Sequence, residues 1–314
     1  MPKAERQQLS RKRERRQQRQ AEIQQLPPTE RKEMLVGRAM SKMVLAAYLF
    51  IMHPWAGPGP LTSKRNSRTM VMDDQIMISL GRTYLVHDLD WALDELRPIC
   101  PLYGVRAWTD LVVHYQTSQP MVLGVDTIFP PKYRAVESVL GYKFTNKSLL
   151  MQALYPKGGL RPVESTLERL EYLGDAVLEV VALDFMRRHF PEDGKLATRV
   201  QMSVCNQVLQ AACLETGLYK FVRVCSEDVG LEDDIAAAKA SWKAAKQGFP
   251  KEAPWRQQHL CKTLADVVEA LFGAVFLDCE MDMVRMGKVW DVLVWPIIHQ
   301  TAVNSRGWLA TASL

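Results

Sequence analysis

The sequence predicts an all-α protein, and three observations carry that expectation. Residues 167–179 and 262–278 are among the most apolar stretches of the chain, and carboxylates interrupt both at helical spacing. From Tyr133 onward the chain reads as helix after helix, with no convincing strand. Residues 34 to about 119 also carry helical patterning, broken at the Pro/Gly cluster 54–60. With 314 residues and 47% hydrophobic content there is material for one or two cored domains.

The elements are expected in this order. Residues 1–33 form a basic tail in which Lys3, Arg6, Arg11, Lys12, Arg13, Arg15, Arg16 and Arg19 crowd together and carry much of the net charge of +5. The tail is Gln-rich and lacks apolar periodicity, so it reads as disordered or as a solvated helix. It is either a phosphate-binding arm, a nuclear localisation signal or a solubilising tail. Glu5, Glu14 and Glu22 argue against a mitochondrial transit peptide, which is poor in acids.

Residues 34–130 read as a helical region without an assigned role. The apolar run 43–52 is too short to span a bilayer and suits a core helix or a partner-binding helix. Residues 54–60 are a linker, and 88–96 and 107–113 are short amphipathic helices whose acids lie on a solvated face. Pro120, Pro130 and Pro131 mark the boundary to a second unit, residues 131–302. There is no internal repeat. Residues 226–258 form a charged insertion with a helix-forming core at 236–246, expected as an exposed loop helix, and 303–314 form a tail.

The chemistry concentrates in the two acidic notches. Glu168, Glu171 and Asp175 stand at i, i+3 and i+7 of one helix, on one side, against Leu167, Leu170, Leu173, Val177 and Leu178. Asp266 and Glu269 stand at i and i+3 of the other, against Leu264, Val267, Val268, Leu271 and Phe272. Clustered carboxylates in apolar surroundings repel one another and cost desolvation unless a cation sits among them. If the helices face each other, Glu171, Asp175, Asp266 and Glu269 form an all-oxygen set suited to Mg²⁺, with Mn²⁺ as the substitute ion. The six cysteines show no metal-ligand spacing and, without a signal peptide, read as reduced thiols of an intracellular protein of the cytoplasm or nucleus.

The run 167–179 resembles the signature of the ribonuclease III family, the Mg²⁺-dependent endonucleases of double-stranded RNA. Residues 133–144 and 146–154 are similar to the family's opening helices, 194–209 to its middle helix, and the second acidic helix comes last, as in the family. The resemblance covers roughly 131–302. Lys262, four residues before Asp266, the insertion at 226–258 and the ending at 295–298 make the domain similar to a Dicer ribonuclease domain. Residues 154–159 replace a histidine-containing segment usual in the family, and Cys205 replaces the first of two asparagines, of which Asn206 keeps the second. Neither change removes a metal ligand.

The resemblance implies a ribonuclease III-type helical endonuclease that hydrolyses phosphodiesters by a two-metal route. Its products carry 5′-phosphate and 3′-hydroxyl ends, and its setting is RNA silencing or structured-RNA processing. Glu171, Asp175, Asp266 and Glu269 are then the metal ligands and catalytic acids, and Lys262 and Glu168 auxiliary groups. Lys195 and Arg199 are candidate RNA contacts. Glu179, one turn past Asp175, is left out of catalysis. One acidic centre cuts one strand, so the implied assembly is a homodimer or a dimer with another ribonuclease III domain. Tyr172 is either the residue that plugs a socket on the partner or a member of its own core. The expected partner is double-stranded RNA, read through phosphates and 2′-hydroxyls with little sequence specificity, and no membrane is involved. The alternatives are a catalytically silent scaffold of the same fold in a ribosomal or RNA-processing complex, and a metal-dependent hydrolase of another class.

Overall fold

A computed structural model describes residues 25–52, 81–82, 108–118, 131–155, 166–190, 196–223, 230–247 and 260–304. Among them the chain forms eleven α-helices, two short 3₁₀ turns and no strand, as the sequence predicts. In chain order they are α1 (Pro28–Met52), α2 (Trp108–Ser118), α3 (Arg134–Leu140), α4 (Lys147–Ala153), α5 (Thr166–His189), α6 (Leu196–Ser203), α7 (Asn206–Glu215), α8 (Leu231–Gln247), α9 (Lys262–Asp278), α10 (Met283–Leu293) and α11 (Trp295–Asn304). Residues 1–24 of the expected tail at 1–33, the linker at 54–60 and the helix at 88–96 lie outside the described residues, as does the stretch beyond Asn304.

The centre of the fold is the pair α5 and α9, which share the most extensive helix contact. Every residue of α9 from Leu264 to Leu277 is buried except Asp266. A helix apolar on all sides can only be stable with neighbours all round, and here α4, α5, α7 and α10 supply them. The start of α9 is fixed from α7, where the buried Gln210 side chain accepts a 2.6 Å hydrogen bond from the Cys261 backbone N–H. Its end is fixed by Asp278, which accepts from the Tyr142 hydroxyl at 2.8 Å and from the backbone N–H groups of Thr145 and Asn146 at 2.8 and 2.6 Å. One carboxylate thus ties the α3–α4 connection to α9. Glu137 of α3 pairs with Lys147 of α4 and accepts from the Phe144 N–H, holding those two short helices together.

Helix α1 packs along α5. Met40, Met43, Val44, Ala47 and Tyr48 are buried in the same cluster as Leu173 and Val177. Arg169 of α5 donates to the Phe50 carbonyl at 2.8 Å and stacks over the Phe50 ring at 4.5 Å. The run 43–52 is therefore a core helix, one of the two expected roles. It belongs to a longer element that begins at Pro28, inside the expected tail. By length and composition α1 is the one described helix that could cross a membrane, but 67% of that stretch is buried inside the protein.

Two expectations need correction. Helix α8 is not an exposed loop helix, because Leu231, Ile235, Ala238 and Trp242 are buried on one face. The Trp242 indole N–H donates to Glu215 at 2.9 Å, and the Lys246 ammonium reaches the same carboxylate at 2.8 Å, so α8 is clamped to the end of α7. Helix α2 runs to Ser118 rather than ending at 113, with Trp108, Leu111 and Tyr115 inward and the Trp108 ring 6.3 Å from Phe276. Its acid, Asp110, is exposed as expected.

Candidate metal centre between two acidic helices

The site begins with two glycines. A Cβ at Gly174 would lie 1.7 Å from the Glu269 carbonyl oxygen, and one at Gly273 would lie 2.3 Å from the Leu170 carbonyl oxygen. The absence of side chains at these positions lets the backbones of α5 and α9 touch. Carboxylates one turn from the crossing are thereby brought face to face.

Glu171, Asp266 and Glu269 converge, each offering one oxygen within 4.8 Å of the others. Glu269 is buried, at 7% exposure. Burial first, then the charges of Asp175, Asp266 and Glu171, push its carboxyl up to about 8. Burial also raises Glu171, with Asp266 adding to the effect, and raises Asp266. Lys262 opposes both shifts. Its ammonium lies 3.0 Å from Glu171 Oε1 and 2.5 Å from Asp266 Oδ1. Desolvation disfavours the charged lysine, but those two carboxylates outweigh it and hold its pKa above the ordinary value. Three acids that cannot all ionise comfortably, with oxygens this close, suit a small hard cation. The donor set therefore fits Mg²⁺ or Mn²⁺.

Asp175 stands outside this trio, although its charge is felt at Glu269. It is salt-bridged instead to Lys42 of α1, whose Nζ lies 2.8 Å from Asp175 Oδ2 and 3.0 Å from Glu179 Oε2. The sequence reading had no place for Lys42, and it set Glu179 aside. Glu168 is exposed and adds to the rise at Glu171. Tyr172 is half-buried at the core's edge, where Lys42 and Asp175 act on its hydroxyl. Lys195 lies outside the described residues. Arg199 does not meet the expectation of a phosphate contact, since it is buried with its guanidinium 4.7 Å over the Phe190 ring.

A family model described as the ribonuclease III domain matches residues 168–280, a stretch that holds all four expected acids and both glycines. Residues 168–280 are thus similar to a ribonuclease III domain. Ribonuclease 3-like protein 2 of Arabidopsis thaliana is 30% identical over 184 residues, covering 52% of this chain and 41% of that protein. Ribonuclease 3 of Carboxydothermus hydrogenoformans is 30% identical over 154 residues, covering 47% of this chain and 55% of the bacterial one. Protein Dicer of Schizosaccharomyces pombe is 26% identical over 241 residues, which are 74% of this chain and 17% of that protein. The chain thus spans little more than half of these relatives at most.

Proposed function

We propose that the chain is a Mg²⁺-dependent endoribonuclease that hydrolyses double-stranded RNA, leaving 5′-phosphate and 3′-hydroxyl ends, in RNA silencing or structured-RNA processing. The observation that carries this reading is the convergence of Glu171, Asp266 and Glu269 beneath Lys262 in a ribonuclease III-type domain. These three acids would hold the ion, with Asp175 the fourth ligand once it leaves Lys42. A bound divalent cation supplies charge neutralisation at the phosphate and lowers the pKa of water.

The remaining work falls to the chain's own groups. Lys262, 61% exposed at its side chain, stands at the mouth of the cluster and can turn its ammonium to a phosphate oxygen as charge develops there. Glu269 keeps its proton near neutral pH until a cation displaces it. Glu168, exposed one turn before Glu171, would meet the RNA or ordered water. The centre serves one strand, so duplex cutting requires a second domain, with Tyr172 at the contact. The retention of every expected acid weighs against the silent scaffold.

Purified chain incubated with end-labelled duplex RNA tests the proposal. Cutting is expected with Mg²⁺ and not with EDTA, and Glu171→Gln or Asp266→Asn lowers it at least about a hundredfold. Duplex binding without cutting under any divalent ion would favour the scaffold instead.

A further inference from the structure

Lys42 lies on α1, 126 residues before the stretch that matches the family, yet its ammonium pairs with Asp175, the one expected metal ligand outside the trio. We propose that Lys42 is a positioning residue: it is an internal cation that holds Asp175 apart from Glu171, Asp266 and Glu269, and that a divalent ion must displace to recruit Asp175. The inference rests on the metal reading given above.

The mount is firm while the contact is soft. Met40, Met43 and Val44 around Lys42 are fully buried, and Arg169 fastens the end of α1 at Phe50, so the lysine's backbone is fixed against α5. The charged tips are wet, with side-chain exposures of 38% for Lys42, 46% for Asp175 and 35% for Glu179. Half-exposed ion pairs of this kind are weak and break readily. Asp175 lies one helical turn beyond Glu171 and projects from the same side of α5. Its charge is the first to act on Glu269 after burial, yet its carboxylate is paired with Lys42 and is not one of the three converging oxygens. Among the described residues Lys42 is the cation salt-bridged to Asp175, as Lys262 is to Glu171 and Asp266. The two lysines thus pair with different acids of the set, and both positive charges oppose an incoming dication. Lys262 belongs to the acidic helix itself. Lys42 comes from outside, so the seating of α1 and the loading of metal at Asp175 are antagonistic.

Mn²⁺ binding to the full chain, followed by electron paramagnetic resonance of the free ion, tests this without reference to catalysis. Lys42→Met and the length-matched Lys42→Gln are each expected to bind Mn²⁺ about fivefold tighter than the wild type. Lys42→Arg, which restores the charge, should return to the wild-type value. The gain should vanish when Asp175→Asn is also present. Unchanged or weaker binding in both neutral variants overturns the proposal, as does a Lys42→Arg variant that behaves like Lys42→Met, or a gain that survives Asp175→Asn. If the wild type binds Mn²⁺ no better than Glu171→Gln, the metal reading itself fails and this inference with it. If the wild type binds well and charge at position 42 has no effect, only the role of Lys42 is lost.

Discussion

Gly174 of α5 abuts the main-chain carbonyl of Glu269 in α9, with room for a hydrogen and none for a methyl group. Two helices can approach this closely only where one lacks a Cβ. The same contact that sets the helix spacing also sets the distance between Glu171 and Glu269. Packing and chemistry are therefore one feature of this domain.

Gly174→Ala should be among the most damaging single-methyl changes in the protein. The obstructing atoms are helix backbone on the far side and cannot swing away, so the helices must part. A loss of about 3 kcal/mol or more is expected from chemical denaturation, together with weakened Mn²⁺ binding. Gly287→Ala in α10 is the control, because a Cβ there meets nothing nearer than the Arg188 guanidinium at 4.0 Å. That variant should be neutral or stabilised by up to about 1 kcal/mol. Equal behaviour of the two would refute the close-contact account.

The metal-free protein should lose stability as pH rises towards 8. Glu269 carries its proton up to about 8 when folded, against an ordinary value of 4.5. Between those limits the folded chain holds a proton that the unfolded chain has released, so each step up in pH favours unfolding. The stabilisation is complete below about 4.5 and gone once pH passes the folded value. In EDTA the Tm should fall between pH 6 and 8.5. Mg²⁺ should raise it most at the upper end, where no proton competes for the carboxylate. A Glu269→Gln variant should lose this component of the slope.

Trp242→Ala should release α8 without unfolding the domain. The indole is the bulkiest buried side chain of that helix and donates to Glu215, whereas α5 and α9 are secured by each other. Hydrogen exchange is expected to show fast α8 amides beside unchanged protection in α9. Loss of protection in both helices would mean that α8 is integral to the core.

The acids were legible in the sequence because carboxylates three or four residues apart stand out against Leu, Val and Phe, and the helical period puts them on one side. Lys262, four residues before Asp266, was legible only through the resemblance to a Dicer ribonuclease domain. The glycines gave a fainter signal, each an interruption in an apolar helix. Lys42 gave none, since its partner Asp175 lies 133 residues away and no local pattern links them. Helix α8 misled because its Ala/Lys composition suits solvent, while burial depends on the widely spaced Leu231, Ile235 and Trp242. Arg199 misled because a basic residue on a short helix reads as exposed until Phe190 is found beneath it.

The most direct measurement is the anomalous difference map of a crystal soaked in Mn²⁺. The account predicts a peak bounded by carboxylate oxygens of Glu171, Asp266 and Glu269. A map with no peak there, or with Mn²⁺ bound elsewhere and those three side chains unengaged, would contradict it.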